Sequence, residues 1–204
     1  TKTYVMMCQA KRAGYERQHT ALDLHDRKCD LNLARLHKAG IKGVRTVSGD
    51  ACELDEVLTS FDAMLGEPAM FDTVFIDAPC SGTGTMRRHP EIPWRLTEND
   101  VTTELPKLQL TMLKEAAARV ASGGELIYAT CSVFDEENTQ VVDAFLASPE
   151  GEGFAVAPLS EAQILQLPEY DHAKSLVTLR QNDRGFLQSV PVNADSYDGH
   201  FCAR

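Results

Sequence analysis

The 204-residue chain is short of positive charge. It has 20 Lys and Arg side chains against 30 Asp and Glu, for a formal net charge of −10. Phosphate contacts need Lys and Arg, so this balance argues against broad binding of nucleic acid by the chain as a whole. Any such binding has to come from a local basic patch or from a module outside these residues.

Long apolar runs and secretion signals are also missing. No apolar run approaches the ~20 residues of a membrane span, and the first residues lack the basic-then-apolar order of a secretory signal. Six cysteines occur without a CxxC pair, which favours reduced intracellular thiols over disulfides or a metal site. We therefore expect a cytoplasmic protein without membrane association. Because the chain begins with Thr1, we expect it to be a processed form or an excised fragment.

The composition does allow an ordinary hydrophobic core. Of the residues, 43% are hydrophobic and 25% are charged, so we expect residues 1–204 to form one domain. Helical periodicity predicts helices over about residues 3–13, 26–39, 105–120 and 135–146. Short apolar runs predict strands over residues 19–24, 44–47, 71–76, 125–129, 176–179, 186–190 and 200–203.

This alternation predicts an α/β fold with three layers and a largely parallel sheet. In such sheets, ligands bind beyond the C-terminal ends of the strands. Four residues fall at the ends of successive predicted strands: Asp23, Asp50, Asp77 and Cys131. An Asp after a strand often only caps a loop or a helix, so for each acid alone the two interpretations are about equal. All four at one edge favour a binding site.

The acid that follows the second strand of such a sheet suits a ribose diol. One carboxylate accepts hydrogen bonds from both hydroxyls, as in dinucleotide-binding folds. Asp23 is the candidate here, and Asp26 competes with it. The sequence has no GxGxxG loop, so a nicotinamide cofactor has little support.

Two cysteines lie just past core strands in polar, Gly-rich segments. Cys80 belongs to DAPCSGTG and Cys131 to ATCS, 51 residues later. A thiolate attacks an electron-poor ring carbon well, and backbone donors at a strand end can lower a thiol pKa. A cysteine outside a disulfide is usually a small buried hydrophobe, and we interpret the other four cysteines in that way. For Cys80 and Cys131 the surroundings favour a chemical role.

At these cysteines the sequence resembles a known family. DAPCSGTG, followed by RRHPE and Trp94, is similar to motif IV of the Fmu/Sun-type RNA (cytosine-5)-methyltransferases. ATCSV, followed by EEN, resembles their motif VI, and the last six residues, GHFCAR, resemble their final strand, usually written GFFxAR. The resemblance covers nearly the whole chain. Of the family's first motif, a loop like DxCAAPGGKT after a strand, only the tail is matched, by residues 1–3.

The resemblance implies a Rossmann-like methyltransferase fold that uses S-adenosyl-L-methionine (AdoMet). We expect its first strand to be missing from this chain, so that AdoMet binding is weak. Cys131 is implied as the nucleophile at carbon 6 of cytosine, Asp77 as a contact of the base near N3, and Cys80 as the residue that assists release by β-elimination. The implied AdoMet contacts are Lys2, Asp23 at the ribose, Asp50 at the adenine, and Asp77.

The local basic cluster is Arg87, Arg88 and His89. Its place beside Cys80 favours contacts with RNA phosphates over a solvated loop. Ribosomal RNA is the expected substrate, with transfer RNA as the alternative, and no separate RNA-binding domain is expected. Two other functions stay open: a non-catalytic RNA-binding or assembly factor with a degenerate methyltransferase fold, and a thiol-dependent enzyme without AdoMet. The second of these lacks a matching His or redox pair.

Overall fold

The computed structural model describes residues 2–161, 163, 179–189 and 198–204. Its helices are α1 (Lys2–Arg12), α2 (Asp26–Lys38), α3 (Leu54–Leu65), α4 (Ile92–Arg95), α5 (Leu105–Ala117) and α6 (Thr139–Leu146). Its strands are β1 (His19–Asp23), β2 (Val44–Ser48), β3 (Phe71–Asp77), β4 (Val120–Thr130), β5 (Leu179–Gln181), β6 (Leu187–Ser189) and β7 (His200–Ala203). Within these ranges no helix combines the length and the apolar character that crossing a membrane requires.

The chain divides into two compact units, Thr1–Ala69 and Met70–Arg204. In the first unit, β1 and β2 pair in parallel with Asp23 opposite Ser48. The helix between them, α2, buries Leu36 and contacts both strands. This is the βαβ arrangement that the alternating pattern predicts. The expectation of one domain over residues 1–204 stays a prediction.

The second unit contains a mixed five-stranded sheet in the order β3-β4-β7-β6-β5. β3 and β4 are parallel, with Asp77 opposite Ala129, and the remaining neighbours are antiparallel. The α/β class is confirmed, and the two parallel pairs, β1–β2 and β3–β4, are the parts that carry the residues predicted to form a site. The antiparallel edge is an addition to the largely parallel sheet that we predicted.

Aromatic side chains hold β4 and β7 together beneath the ends of the parallel strands. Tyr128, Phe186 and Phe201 are almost fully buried. The Phe201 ring stands edge-on to Tyr128 at 6.3 Å and to Phe186 at 5.2 Å between centroids. Edge-to-face pairs of this kind add about 0.5–1.5 kcal/mol each to the stabilisation from burial. The C-terminal end of β4 is therefore stabilised by packing against buried aromatic rings.

Two helices, α3 and the short α4, were not predicted from the sequence, and two boundaries were wrong. Helix α3 was missed, although Asp55 and Glu56 in its first turn and the left-handed Gly66 after its last residue are ordinary helix signals. Strand β4 begins at Val120, where we had predicted the last residue of a helix. The predicted helix over 135–146 is a 3-10 turn followed by α6, because the backbone of Asn138 (φ −117°, ψ −98°) is not helical.

The error at β4 has a geometric cause. Gly123 has a positive φ of 74°, and two glycines after a run of helix-forming residues also favour the end of a helix. In the structure this stretch is a bulge within the strand, because Val120 pairs with Phe71 while Glu125 pairs with Thr73.

The C-terminal strands agree with the sequence analysis where they can be compared. The strand predicted at 200–203 is β7, and the one predicted at 186–190 contains β6. The strand predicted at 176–179 lies outside the described residues except for Leu179, where β5 begins.

Candidate active site

Two cysteines meet at the C-terminal ends of β3 and β4. The Cys80 and Cys131 sulfur atoms are 3.3 Å apart, and the Cys131 N–H donates to the Cys80 sulfur at 3.3 Å. The parallel register continues past the strands, where the Ala78 N–H donates to the Ala129 carbonyl at 2.9 Å. Because the two loops leave the sheet side by side, residues 51 positions apart in sequence come into contact.

The protonation of Cys80 is strongly affected by its neighbour. The pKa of Cys80 is strongly raised, first by its hydrogen bond with Cys131, then by burial, and then by charge repulsion from Cys131. Two sulfurs at this distance cannot both carry a charge without a large penalty. Cys80 therefore keeps its proton at neutral pH and can donate it to the Cys131 sulfur.

A fully buried carboxyl group, that of Glu137, joins the two cysteine loops. Its Oε1 accepts from the Ser81 N–H at 2.8 Å and from the Gln109 amide at 3.0 Å. Its Oε2 accepts from the Ser132 hydroxyl at 2.5 Å. The Gln109 amide also donates to the Pro79 carbonyl at 2.9 Å. Glu137 thus contacts the residue that follows each cysteine.

Hydroxyl groups fill the remaining space between the loops. The Ser81 hydroxyl donates to the Ser132 hydroxyl at 3.1 Å and lies 3.1 Å from the Thr83 hydroxyl. The Val133 N–H donates to the Thr83 hydroxyl at 3.1 Å, and the Phe134 N–H donates to the Ser132 hydroxyl at 3.1 Å. All three hydroxyl side chains are buried. Each loop therefore uses side chains of the other to satisfy its backbone.

Strand β4 and the turn after it fix the position of Glu137 itself. The Tyr128 hydroxyl donates to the Glu137 carbonyl at 2.6 Å, and the Thr130 hydroxyl donates to the Asn138 side chain at 2.6 Å. The Asn138 amide in turn donates to the Ser132 carbonyl at 3.1 Å. Burial, followed by the nearby Cys80 and Glu137, raises the pKa of Tyr128, so its hydroxyl remains a donor.

The loop of Cys80 is also tied to β7 through Gly84. The Gly84 N–H donates to the Cys131 carbonyl, and the Gly84 carbonyl accepts from the Gly199 N–H, both at 2.8 Å. A Cβ atom at Gly84 would lie 2.1 Å from the Gly199 carbonyl oxygen. Only glycine fits here, because the two backbones approach each other closely. This close approach explains the second glycine of the GTG sequence.

The acidic residues predicted to contact a cofactor lie in both units. Asp77 is exposed at the last position of β3, three residues before Cys80. In the first unit, Asp23 ends β1 and accepts from the His25 N–H at 3.0 Å, and Asp50 follows β2 and accepts from the Cys52 N–H at 2.8 Å. The Gly49 N–H donates to the Asp23 carbonyl at 3.1 Å, so the ends of β1 and β2 adjoin.

The other sequence candidates are less constrained by the structure. Lys2 is exposed in the first turn of α1. Asp26 is exposed at the start of α2, whereas Asp23 is half-buried with its side chain 38% exposed and 3.6 Å from the Lys28 ammonium group. Asp23 is thus the acid at the strand end.

The predicted basic cluster is paired with acids within the second unit. Arg87 and Arg88 both form ion pairs with Asp198, whose side chain is only 10% exposed, and His89 Nδ1 lies 3.3 Å from a Glu91 oxygen. All three basic side chains remain about half exposed. In the same segment, Trp94 is 89% exposed.

Other features lie away from the cysteine pair. Two cavities, of about 40 and 400 Å³, are lined by residues of β4, α6 and the 152–157 segment rather than by Cys80 or Cys131. Within the part of the chain that the structure describes, His, Cys, Asp and Glu side chains do not form groups of three that could hold a metal ion.

The two cysteines were predicted from the sequence, but the side chains that connect their loops were not. These are Ser81, Thr83, Gln109, Ser132, Glu137 and Asn138. In the sequence, EEN contributed only as part of a motif. A signal was available, because Glu137 and Asn138 follow a strand by a few residues in the part of the chain that also contains Cys131. Gln109 lies on α5, and no local pattern marks it as a partner of Glu137.

Solved structures share this fold. The chain matches the protein PH0851 with a TM-score of 0.69 and 28% identity, over 90% of this chain and 35% of that one. It matches a methyltransferase homolog protein from Pyrococcus horikoshii with a TM-score of 0.61 and 20% identity, over 90% and 51%. The second likeness shows the fold alone. Together with the parallel strand pairs, it confirms the Rossmann-like fold of the methyltransferase class.

Within this class, the chain belongs to the 16S rRNA methyltransferase RsmB/F family, whose model matches residues 3–204. Ribosomal RNA small subunit methyltransferase B of Klebsiella pneumoniae (strain 342) is 45% identical over 95 residues, which are 46% of this chain and 22% of that protein. The match thus spans about a fifth of the length of this curated relative. The family expected from the cysteine motifs is confirmed.

Proposed function

We propose that the chain is the methyl-transferring part of an AdoMet-dependent rRNA methyltransferase that modifies carbon 5 of cytosine through a covalent adduct. The observation that carries this proposal is the 3.3 Å contact between the Cys80 and Cys131 sulfurs at the ends of two parallel strands. Neutral cytosine is a poor nucleophile at carbon 5. Addition of a thiolate to carbon 6 divides one difficult step into two easier ones.

The protonation of the pair suits this sequence of steps. Cys131 attacks carbon 6, and the electrons of the ring move towards carbon 5, where the methyl group is accepted. Once the Cys131 sulfur is bonded to carbon, it no longer bears charge and no longer accepts a proton from Cys80. The two causes of the raised Cys80 pKa that come from Cys131 are then removed, and burial remains. For elimination, Cys80 first releases its own proton to solvent, and its thiolate then takes the carbon 5 proton. The electrons of that C–H bond re-form the carbon 5–carbon 6 double bond, and the carbon 6–sulfur bond breaks to release Cys131 as a thiolate.

A non-catalytic assembly factor would need neither sulfur. The buried contacts that hold the two loops together through Glu137 and Ser132 favour an enzyme over such a factor. Asp77, exposed at the end of β3 three residues before Cys80, is proposed to contact the base.

The residues present fit AdoMet at the first unit. Carboxylates at the ends of β1 and β2 are acceptors for the ribose hydroxyls and the adenine amino group, and both Asp23 and Asp50 reach solvent. We propose Asp23 for the ribose and Asp50 for the adenine, with Lys2 and Asp77 as further contacts. When bound, AdoMet supplies an electrophilic methyl group.

The proposed RNA contacts are Arg87, Arg88 and His89, with rRNA preferred to tRNA as substrate because of the family description. Trp94 supports this assignment, because an exposed ring beside arginines can stack on an unpaired base. With a net charge of −10, RNA binding by these residues themselves has to rely on such a local basic segment.

The test is a trapping experiment on the protein as the cell makes it, with 16S rRNA from cells that lack the gene. Cys80→Ala should accumulate a covalent protein–RNA adduct, seen as a slow band on a denaturing gel, because attack proceeds without elimination. Cys131→Ala and the double variant should give no adduct and no methyl transfer. Cys8→Ala, in α1, is the control and should behave as the unchanged protein.

Other results would contradict the assignment in different ways. If Cys80 only packs its loop, Cys80→Ala lowers stability and traps nothing. If the roles are reversed, Cys131→Ala is the variant that traps. Bisulfite converts cytosine but not 5-methylcytosine, so the same rRNA should gain a protected cytosine after reaction. Methyl transfer without a newly protected cytosine would exclude the proposed specificity.

A further inference from the structure

The side chain of Glu137 is fully buried, yet its carboxyl group has no basic side chain among its described hydrogen-bond partners. The partners are two N–H groups and one hydroxyl, and both carboxyl oxygens act as acceptors. A buried acid without a cation is costly, and it persists only where hydrogen bonds are complete. An apolar side chain would serve packing alone equally well. The acid therefore has another role.

Direct chemistry is not that role. With none of its surface exposed, Glu137 cannot reach a substrate unless the surrounding loops open. Its carboxylate ends on Ser81 and Ser132, each of which directly follows one of the cysteines. The side chain therefore acts on the cysteines through the chain, one residue away from each.

Gln109 supports the same interpretation from the side of α5. Its amide nitrogen donates both to Glu137 and to the Pro79 carbonyl, the residue before Cys80. Its own oxygen, Oε1, is buried and has no hydrogen-bond partner among the described residues. An unpaired buried acceptor costs about 1–3 kcal/mol. The orientation of this amide is thus set by its two donor contacts at the expense of its acceptor.

We propose that Glu137 is a positioning residue that sets the contact between the two sulfurs, by holding Ser81 with one carboxylate oxygen and Ser132 with the other. Its effect on methyl transfer rests on the proposed function, whereas its effect on the thiols does not. Weakening this link separates the loops and takes the Cys80 proton away from the Cys131 sulfur. A thiolate that loses a hydrogen-bond donor is less stable, so Cys131 then needs a higher pH to react.

The test measures the rate of Cys131 alkylation by iodoacetamide between pH 6 and 9, with the site located by peptide mass spectrometry. Glu137→Gln retains size but replaces charge-assisted hydrogen bonds with neutral ones, which are about half as strong. Ser132→Ala removes the hydroxyl that links Glu137 to the Cys131 loop, together with its contacts with the Ser81 hydroxyl and the Phe134 N–H. Glu136→Gln, the adjacent and less buried glutamate, is the matched control.

We expect the midpoint of the alkylation profile to move to higher pH by about one unit in Glu137→Gln, an approximately tenfold loss of rate at pH 7 relative to the plateau. Ser132→Ala should shift it in the same direction, and Glu136→Gln should not shift it. The midpoint is the readout because loosened loops also change the access of iodoacetamide to Cys131. A change in access alters the plateau rate and leaves the midpoint in place. Tyr128, with its raised pKa, stays neutral throughout this range.

Unchanged midpoints in both Glu137→Gln and Ser132→Ala would overturn the inference, even if their melting temperatures fall. If Glu137→Gln does not fold, Ser132→Ala alone decides. Methyl transfer to 16S rRNA is measured in parallel. If the unchanged protein transfers no methyl group, the proposed function fails while the alkylation result stands. If transfer is normal and the midpoints do not move, the positioning role fails and the proposed function stands.

Discussion

Cys80 and Cys131 are chemically identical side chains that their neighbours make different. The Cys80 sulfur accepts the Cys131 N–H, and its hydrogen bond with the Cys131 sulfur and its burial strongly raise its pKa. Cys131 directly follows β4. The different roles that we propose for the two cysteines therefore need no difference in residue type, because the surroundings of the two sulfurs differ.

Gly84 gives a prediction at the same scale. Gly84→Ala should lower the free energy of unfolding by more than about 2 kcal/mol, because its Cβ would overlap the Gly199 carbonyl and backbone cannot move aside easily. Urea unfolding of the purified protein measures this. Gly123→Ala is the control, since Gly123 has open space around it and only a positive φ of 74°. It should cost about 1 kcal/mol, and equal losses in the two variants would contradict the overlap.

At the scale of elements, the segment after Cys80 has a buried part and an exposed part. Its first part, ending at Gly84, is held inside the protein by hydrogen bonds to the Cys131 loop and to Gly199. Its second part is exposed and carries Arg87, Arg88 and Trp94. Asp198 holds the two arginines next to the buried part, so the basic surface and the cysteine pair keep a fixed relation within the second unit.

This relation leads to a prediction about RNA binding. Arg88→Gln should weaken binding of 16S rRNA and reduce the slope of log affinity against log salt by about 0.7, the value for one phosphate contact on a single strand. Titrations at several salt concentrations measure it. Arg184→Gln is the matched control, because Arg184 is similarly exposed and paired with Asp143. A slope that does not differ between the two variants would count against Arg88 as a phosphate contact.

The elements that could be predicted are those with a strong local pattern. β3 was predicted to within one residue because FDTVFID is an apolar run that ends in a polar loop. β4 was not, because its bulge contains two glycines that also stop helices, and only pairing with β3 distinguishes the two. The same holds for Gln109, whose contacts with Pro79 and Glu137 join segments about 30 residues apart.

At the scale of the whole molecule, the parallel strand pairs were predictable from alternation, and the cysteines from their position after core strands. The order of the five strands was not, because β7 inserts antiparallel beside β4 after more than 60 intervening residues. Long-range pairing of that kind leaves no periodic signal in a local window. The division into two compact units likewise follows from contacts and not from composition.

The stability of the whole protein should depend on Cys202 at alkaline pH. Burial raises the pKa of this thiol to about 11, from 9.0. Between these two values the folded state retains a proton that the unfolded chain loses. The contribution of this thiol to the free energy of unfolding is therefore fully present below pH 9 and is lost as the pH rises towards 11. The loss attributable to this group is about 2 kcal/mol. Thermal unfolding from pH 8 to 11 measures it.

In Cys202→Ala the alkaline loss of stability should be smaller by about 2 kcal/mol. The loss that remains comes from groups such as Cys80 and Tyr128, whose pKa values are also raised. Identical pH profiles for Cys202→Ala and the unchanged protein would show that the buried thiol does not contribute.

The bulge in β4 has a consequence for how the chain tolerates insertions and deletions. The pairing of β3 with β4 is one to one from Thr73 opposite Glu125 to Asp77 opposite Ala129. Cys80 and Cys131 lie in the loops that begin just after this last pair. A residue gained or lost in that stretch of β4 would turn its side chains over and displace one sulfur by about 3.3 Å, the rise of one strand residue. Between Val120 and Glu125 the surplus residues already loop out. Homologous chains can therefore differ in length at that bulge without disturbing the cysteines.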